Sequence, residues 1–249
     1  MQTVRFYRSW PHVGELEKFE VSVAESDLMI LCDVALQAAA MRRLRRVRGD
    51  IEWYAGAHPG FLTALAPYPV SCEAPPIVRR MAASGDAWRV GPMAAVAGAV
   101  AQAVGEALLP EGASTVIVEN GGDVFAHADT PIRFALYAGE TSPFSRGVIF
   151  EVNAAGGVGV CTSSGSVGHS LSFGKADAVV AVAPDAAFAD AAATAIANRI
   201  RSTDDIESVI GQESGRGPLR AIVACLGDKL GVWGDVRIVE QSHVLRRGT

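Results

Sequence analysis

The stretch "DAAFADAAATAIANRIRS", residues 185–202, constrains the fold more than any other in this chain. Its alanines favour a helix, and Asp185 stands where an N-cap belongs. With Ala187, Ala189, Ala191, Ala192, Ala193 and Ile196 around it, this helix has little polar surface to show to water and is expected to be deeply packed. Asp190, Thr194 and Asn198 recur every fourth residue and therefore share one face. A carboxylate in such surroundings is costly unless a cation or several donors compensate it. The set suits Mg²⁺, which takes oxygen ligands and usually keeps some waters. A buried aspartate receiving backbone hydrogen bonds explains the same pattern.

A second small-residue segment, "PMAAVAGAVAQAVGEALLP" at 92–110, has nearly the length of a membrane span, but Gln102 and Glu106 interrupt it. A helix packed closely inside the protein is expected instead, and no membrane partner. Such a helix can pack within the subunit or across a homo-oligomer contact, and the pattern does not choose. The 249 residues are read as one domain, 1–249, and the net charge of −5 argues against nucleic acid as a partner. The run "MRRLRRVRGD", 41–50, is expected near the end of a helix starting around Ser26, with Gly49 as its stop. Its arginines then either complement the helix dipole or form a phosphate patch. Four scattered cysteines without a CxxC pair, and an N-terminus without an apolar h-region, lead to the expectation of a cytoplasmic protein.

Along the chain, "TVRFYR" and "KFEVSVAE" read as a hairpin, and prolines break 59–70 and 74–88 into shorter helical pieces. "STVIVENGGDVFAHA", "PIRFALYAG", "GVIFEVNAAGGVGVCT" and "ADAVVAVAP" read as strands with glycine turns. The tail "PLRAIVACLGDKLGVWGDVRIVE" reads as two strands around Gly227–Lys229. Strands in groups with helices between them indicate α+β with mixed or antiparallel sheets.

Two further constellations carry chemistry. "ENGGDVF" places Asn120, Gly121, Gly122 and Asp123 at the end of an apolar strand, either as a hairpin turn or as a place where a flat ligand or phosphate approaches the backbone. "CTSSGSVGHSLSFGKADAVV", 161–180, is too long for a tight turn, and Thr162, Ser163, Ser164, Gly165 and Ser166 offer the N–H groups and hydroxyls that cradle phosphates. His169 adds a titratable group, a general acid or base candidate, and Lys175 a fixed cation.

These residues together resemble the ApbE-like superfamily, whose best-known members are Mg²⁺-dependent transferases that move FMN from FAD onto a threonine or serine of a target protein. The resemblance rests on "VIVENGGDVFA", on Thr162–Gly165 followed by His169, and above all on "VAPDAAFADAAATAI", and it covers about residues 90–200. It implies an ApbE-like fold, Asp190 and Thr194 as metal-binding positions, and FAD or a related flavin or nucleotide as ligand, with a protein as a further partner. The transferases carry a lysine in a Gly-Gly-Ile-Ala-Lys-Gly stretch; "GPMAAVAGAV" has Ala95 or a neighbour there. With no lysine and an intact "TSSGSVGHSLSFGKADAVV", the chain resembles a cytoplasmic branch connected with sulfide-dependent homocysteine formation in anaerobes. A flavin- or metabolite-binding accessory role without FMN transfer is the competing expectation.

Overall fold

A computed structural model of the chain describes residues 16–136, 138–139, 142, 144, 148–165 and 174–239. β1 (Glu17–Val23) and β2 (Ser26–Cys32) form a hairpin, followed by α1 (Gln37–Ala57), a single turn α2 (Gly60–Thr63) and α3 (Pro76–Trp88). The small-residue segment opens with a 3₁₀ turn, Pro92–Ala95, and continues as α4 (Val96–Leu108). Then come β3 (Val116–Asn120), β4 (Asp123–His127), β5 (Ile132–Leu136), β6 (Val148–Val152), β7 (Val158–Ser163) and β8 (Ala178–Ala183). The chain continues through α5 (Ala186–Arg199), α6 (Asp205–Glu213), β9 (Ala221–Leu226), β10 (Lys229–Gly234) and β11 (Arg237–Val239).

The strands make two sheets, one of eight in the order β1-β2-β3-β4-β7-β8-β9-β10 and one of three in the order β11-β6-β5. All neighbours in both are antiparallel. The large sheet lies between the helices and the small sheet, and its side chains alternate between two cores. On β8, Val179, Ala181 and Ala183 join the helix-side core, while Ala178, Val180 and Val182 face Phe150 and Leu136 of the small sheet. A strand buried on both faces must be apolar throughout, which is why "AVVAVA" shows no polar alternation.

α4 and α5 lie side by side against β3, β4, β7 and β8. Their small residues are a geometric requirement: a Cβ on Gly98 would come within 2.2 Å of the Ala186 carbonyl oxygen. The helix expected from Asp185 is present, with Asp185 Oδ1 accepting from the Phe188 N–H at 2.9 Å. The segment 92–111 has the length and hydropathy of a span, yet it is largely buried in the protein's own core.

Two expectations need correction. The helix expected from Ser26 is strand β2, and α1 begins at Gln37 and runs through Gly49 to Ala57. The apolar run "LMILC" at 28–32 serves a strand as well as a helix, and pairing with β1 and β3 decides for the strand. The arginines therefore sit in the middle of α1, and its last turn carries no basic residue. Arg48 bonds Glu25, Glu52 and Ser26, while Arg43 donates to the Ala103 carbonyl, so part of the run ties α1 to the β1–β2 turn and to α4. "TVRFYR" lies outside the described residues.

Candidate functional site

β3 and β4 are joined by Gly121 and Gly122, with φ of 72° and 105°. This is the two-residue hairpin that needs positive φ at both central positions. It pairs Asn120 with Asp123 and, by alternation, points both toward the helices. Asn120 Nδ2 donates to the Ala97 carbonyl at 3.1 Å, near the start of α4. The hairpin reading and the site reading of "ENGGD" thus hold together: the turn delivers the two polar side chains.

Asp123 and Asp190 are 7% and 9% exposed, and each interacts with the other through its charge. Asp123 Oδ1 accepts from the Thr162 N–H at 3.1 Å, and Asp190 Oδ2 accepts from the Gly98 N–H at 2.9 Å. The N-terminal N–H groups of α4 therefore meet a carboxylate, as helix N-termini favour. Burial pushes the Asp123 carboxyl up to about 7; Thr162 N–H and the Cys161 thiol oppose this, and the charge of Glu119 adds to it. Burial, then the charge of Asp123, raises Asp190 well above the usual carboxylate range, against the N–H groups of Gly98 and Ala97. Cys161 sits among them, its thiol donating to the Ala186 carbonyl at 3.2 Å, and burial holds that thiol protonated. Among the described residues, no lysine or arginine is bonded to either aspartate.

Two buried carboxylates without a bonded cation fit a divalent cation in charge, and their oxygens fit Mg²⁺ in kind. Thr194 follows Asp190 by one turn of α5 and is half-buried. Among the described residues, no cluster of three or more histidine, cysteine, aspartate or glutamate side chains forms a closed metal cage.

The phosphate-cradle residues divide. Thr162 contributes its N–H to Asp123. Strand alternation puts its side chain on the face of Val160, away from α5, and Ser163 on the face of Cys161. Ser164 Oγ donates to the Asp177 carbonyl at 2.6 Å and Gly165 N–H to the Ala176 carbonyl at 2.8 Å, so 164–165 and 176–177 close the base of the long loop between β7 and β8. Lys175 is exposed, and its N–H donates to the Ile200 carbonyl at 2.8 Å, just past the end of α5. Ile200 is ten residues beyond Asp190, about 15 Å along the axis at 1.5 Å per residue. Ser166 and His169 lie outside the described residues.

Four participants were not read as such from the sequence: Glu119, whose carboxylate accepts from the Gly122 N–H, Cys161, Gly98 and Gln102. Cys161 is adjacent to the "TSSG" run, and strand alternation from Ser163 was the available signal. A cavity of 270 Å³ between β6 and the β10–β11 link, lined by Asn153, Asp235 and Arg237 among others, shares no residue with this site.

Residues 8–214 match the family model described as "AbpE bacteria". A "UPF0280 protein" of Methanocella arvoryzae is 34% identical over 235 residues, covering 94% of this chain and 95% of the relative. A "UPF0280 protein" of Methanosarcina barkeri is 36% identical over 239 residues, covering 94% of each. Among solved structures, the flavinyl transferase ApbE of Pseudomonas stutzeri superposes with a TM-score of 0.57 at 14% identity, covering 88% of this chain and 94% of that one. The flavin transferase ApbE of Vibrio cholerae does so with a TM-score of 0.58 at 11% identity, covering 88% and 97%. Those likenesses establish the fold, and the match of the family model across most of the sequence places the chain in the ApbE-like superfamily.

Proposed function

We propose that this chain is a Mg²⁺-dependent enzyme acting on the pyrophosphate of a flavin dinucleotide or a related nucleotide, with FMN transfer to a protein acceptor as the form of the reaction that the superfamily suggests. The observation that carries the reading is the buried Asp123–Asp190 pair, set where the N-terminus of α4 meets the first turns of α5 and the β3–β4 turn. Asp190 and Thr194 would hold the metal, whose contribution is to neutralise charge on phosphate oxygens. Asp123, held by the Thr162 N–H, would offer a second carboxylate beside it, one that a bound cation would help to ionise. Gly121 and Gly122 leave the backbone of the turn free of side chains, so a flat ligand can approach it. The loop running from Ser163 through Ser166 would supply hydroxyls and N–H groups for phosphate, and His169, as an imidazole, is the acid–base candidate.

A second reading, flavin or nucleotide binding without transfer, is favoured by one observation. Ala95, which with its neighbours stands where the resemblance implies the transferases' lysine, is fully buried, and the stretch "GPMAAVAGAV" holds no lysine. Incubating the purified protein with FAD, with and without Mg²⁺, and following bound flavin and AMP by chromatography separates the two. AMP released only with Mg²⁺ is the expected result. Binding without AMP would favour the accessory role, and no flavin binding under either condition would overturn both.

A further inference from the structure

α4 and α5 meet through two hydrogen-bonded rungs. In the first, the Gly98 N–H donates to Asp190 Oδ2 at 2.9 Å; in the second, the Ala186 N–H donates to Gln102 Oε1 at 2.6 Å. Gly98 and Gln102 are four residues apart on α4, and Ala186 and Asp190 are four apart on α5. Each pair therefore occupies one face of its helix, and the rungs are in antiparallel register. Ala186 is held from its other sides as well. The Cys161 thiol donates to its carbonyl, and Gly159 of β7 approaches so closely that a Cβ there would lie 2.3 Å from the Ala186 Cα.

Gln102 is 6% exposed on a helix whose only other polar side chain is Glu106, and both ends of its amide are used. Nε2 donates to Glu106 Oε1 at 2.7 Å. Glu106 Oε2 accepts from Arg80 of α3 at 3.4 Å, and Arg80 Nε lies 3.5 Å from Asp185, the N-cap of α5. The amide of Gln102 is thereby fixed in one orientation, oxygen toward α5. A polar side chain this deeply buried costs stability unless it is satisfied, and the site it satisfies is the first turn of the helix that carries Asp190.

We propose that Gln102 is a positioning residue for Asp190: by locking the first turn of α5 to α4, it sets the register in which the Asp190 carboxylate meets the Gly98 N–H and is presented to a metal ion. The metal part rests on the function proposed above; the register part does not. Side chains that orient metal ligands typically change affinity by about 10–100-fold when removed.

The test uses the full chain labelled with ¹⁵N, reading the hydrogen exchange of the Gly98 amide by NMR and Mn²⁺ affinity by water-proton relaxation. Gln102→Met keeps the volume and removes both hydrogen bonds. The expected result is faster exchange at Gly98, with the β8 amides unaffected, and Mn²⁺ binding weakened about 10–100-fold. The double variant Gln102→Glu with Glu106→Gln exchanges donor and acceptor between the two side chains, still accepts from the Ala186 N–H, and is expected to restore both readouts. Wild-type protection at Gly98 in Gln102→Met overturns the proposal. Should Gln102→Met not fold, Gln102→Leu, which also lacks the acceptor for the Ala186 N–H, is compared with the double variant, and equal Gly98 exchange in the two overturns it. If the wild-type chain binds no Mn²⁺, the metal reading of the proposed function fails, and Gly98 exchange alone decides the role of Gln102.

Discussion

Asp123 and Asp190 show what a sequence can say about a residue and what it cannot. The spacing of Asp190, Thr194 and Asn198 announced a polar stripe on a buried helix. That Asp190 faces a second carboxylate, with a thiol packed among them, depends on β4 and β7 being neighbours, which no local pattern encodes. The proximity has a consequence for pH. In the metal-free chain Asp123 keeps its proton up to about 7, whereas an unperturbed aspartate releases it near 3.8. Between those values the folded state binds more protons than the unfolded state, so this group's contribution to stability is fully present below about pH 4 and is lost as pH rises toward 7. Urea unfolding in a chelating buffer is expected to show this decline, and Asp123→Asn to flatten it. An equal slope in both proteins would mean that Asp123 titrates as an ordinary aspartate.

At the scale of elements, α4 and α5 were legible because alanine, glycine and a capping aspartate are local signals. Their close approach was legible only as an expectation of tight packing. Gly98 makes it quantitative: a Cβ there would meet backbone, the Ala186 carbonyl oxygen at 2.2 Å, and backbone yields less readily than a flexible side chain. Gly98→Ala is expected to cost about 1–3 kcal/mol through overpacking, read as a lower urea midpoint, and to weaken Mn²⁺ binding because Asp190 moves with α5. A variant as stable as the wild type would show that the helices can separate freely. β2 illustrates the converse. A five-residue apolar run, 28–32, fits a buried strand or a helix, and its partners β1 and β3, the latter nearly ninety residues downstream, settle which. α6 (Asp205–Glu213) was not anticipated at all, because nine residues with one buried face carry a weak periodic signal.

At the scale of the molecule, the large sheet separates two cores, and the candidate site belongs to one of them. Phe150, fully buried in the small sheet, stacks on Phe134 on the far side from α5. Phe150→Ala is expected to lose about 3–5 kcal/mol of unfolding free energy while leaving Mn²⁺ affinity unchanged below the unfolding midpoint. A parallel loss of affinity would mean that the two sides of the sheet are coupled.

By itself the sequence determined the α+β class, most of the strands after residue 114, the two alanine-rich helices and the motifs by which the superfamily is recognised, because these are written in periodicity, caps and turn residues. The tertiary structure alone decided that the arginine run lies mid-helix, that Thr162 turns away from α5 while Cys161 and Ser163 turn toward it, and that Asp123, Asp190, Gly98 and Gln102 meet. Each of those outcomes is a matter of strand order, register and helix contact, and such long-range pairings are selected by the burial of the whole core rather than by any short stretch of chain.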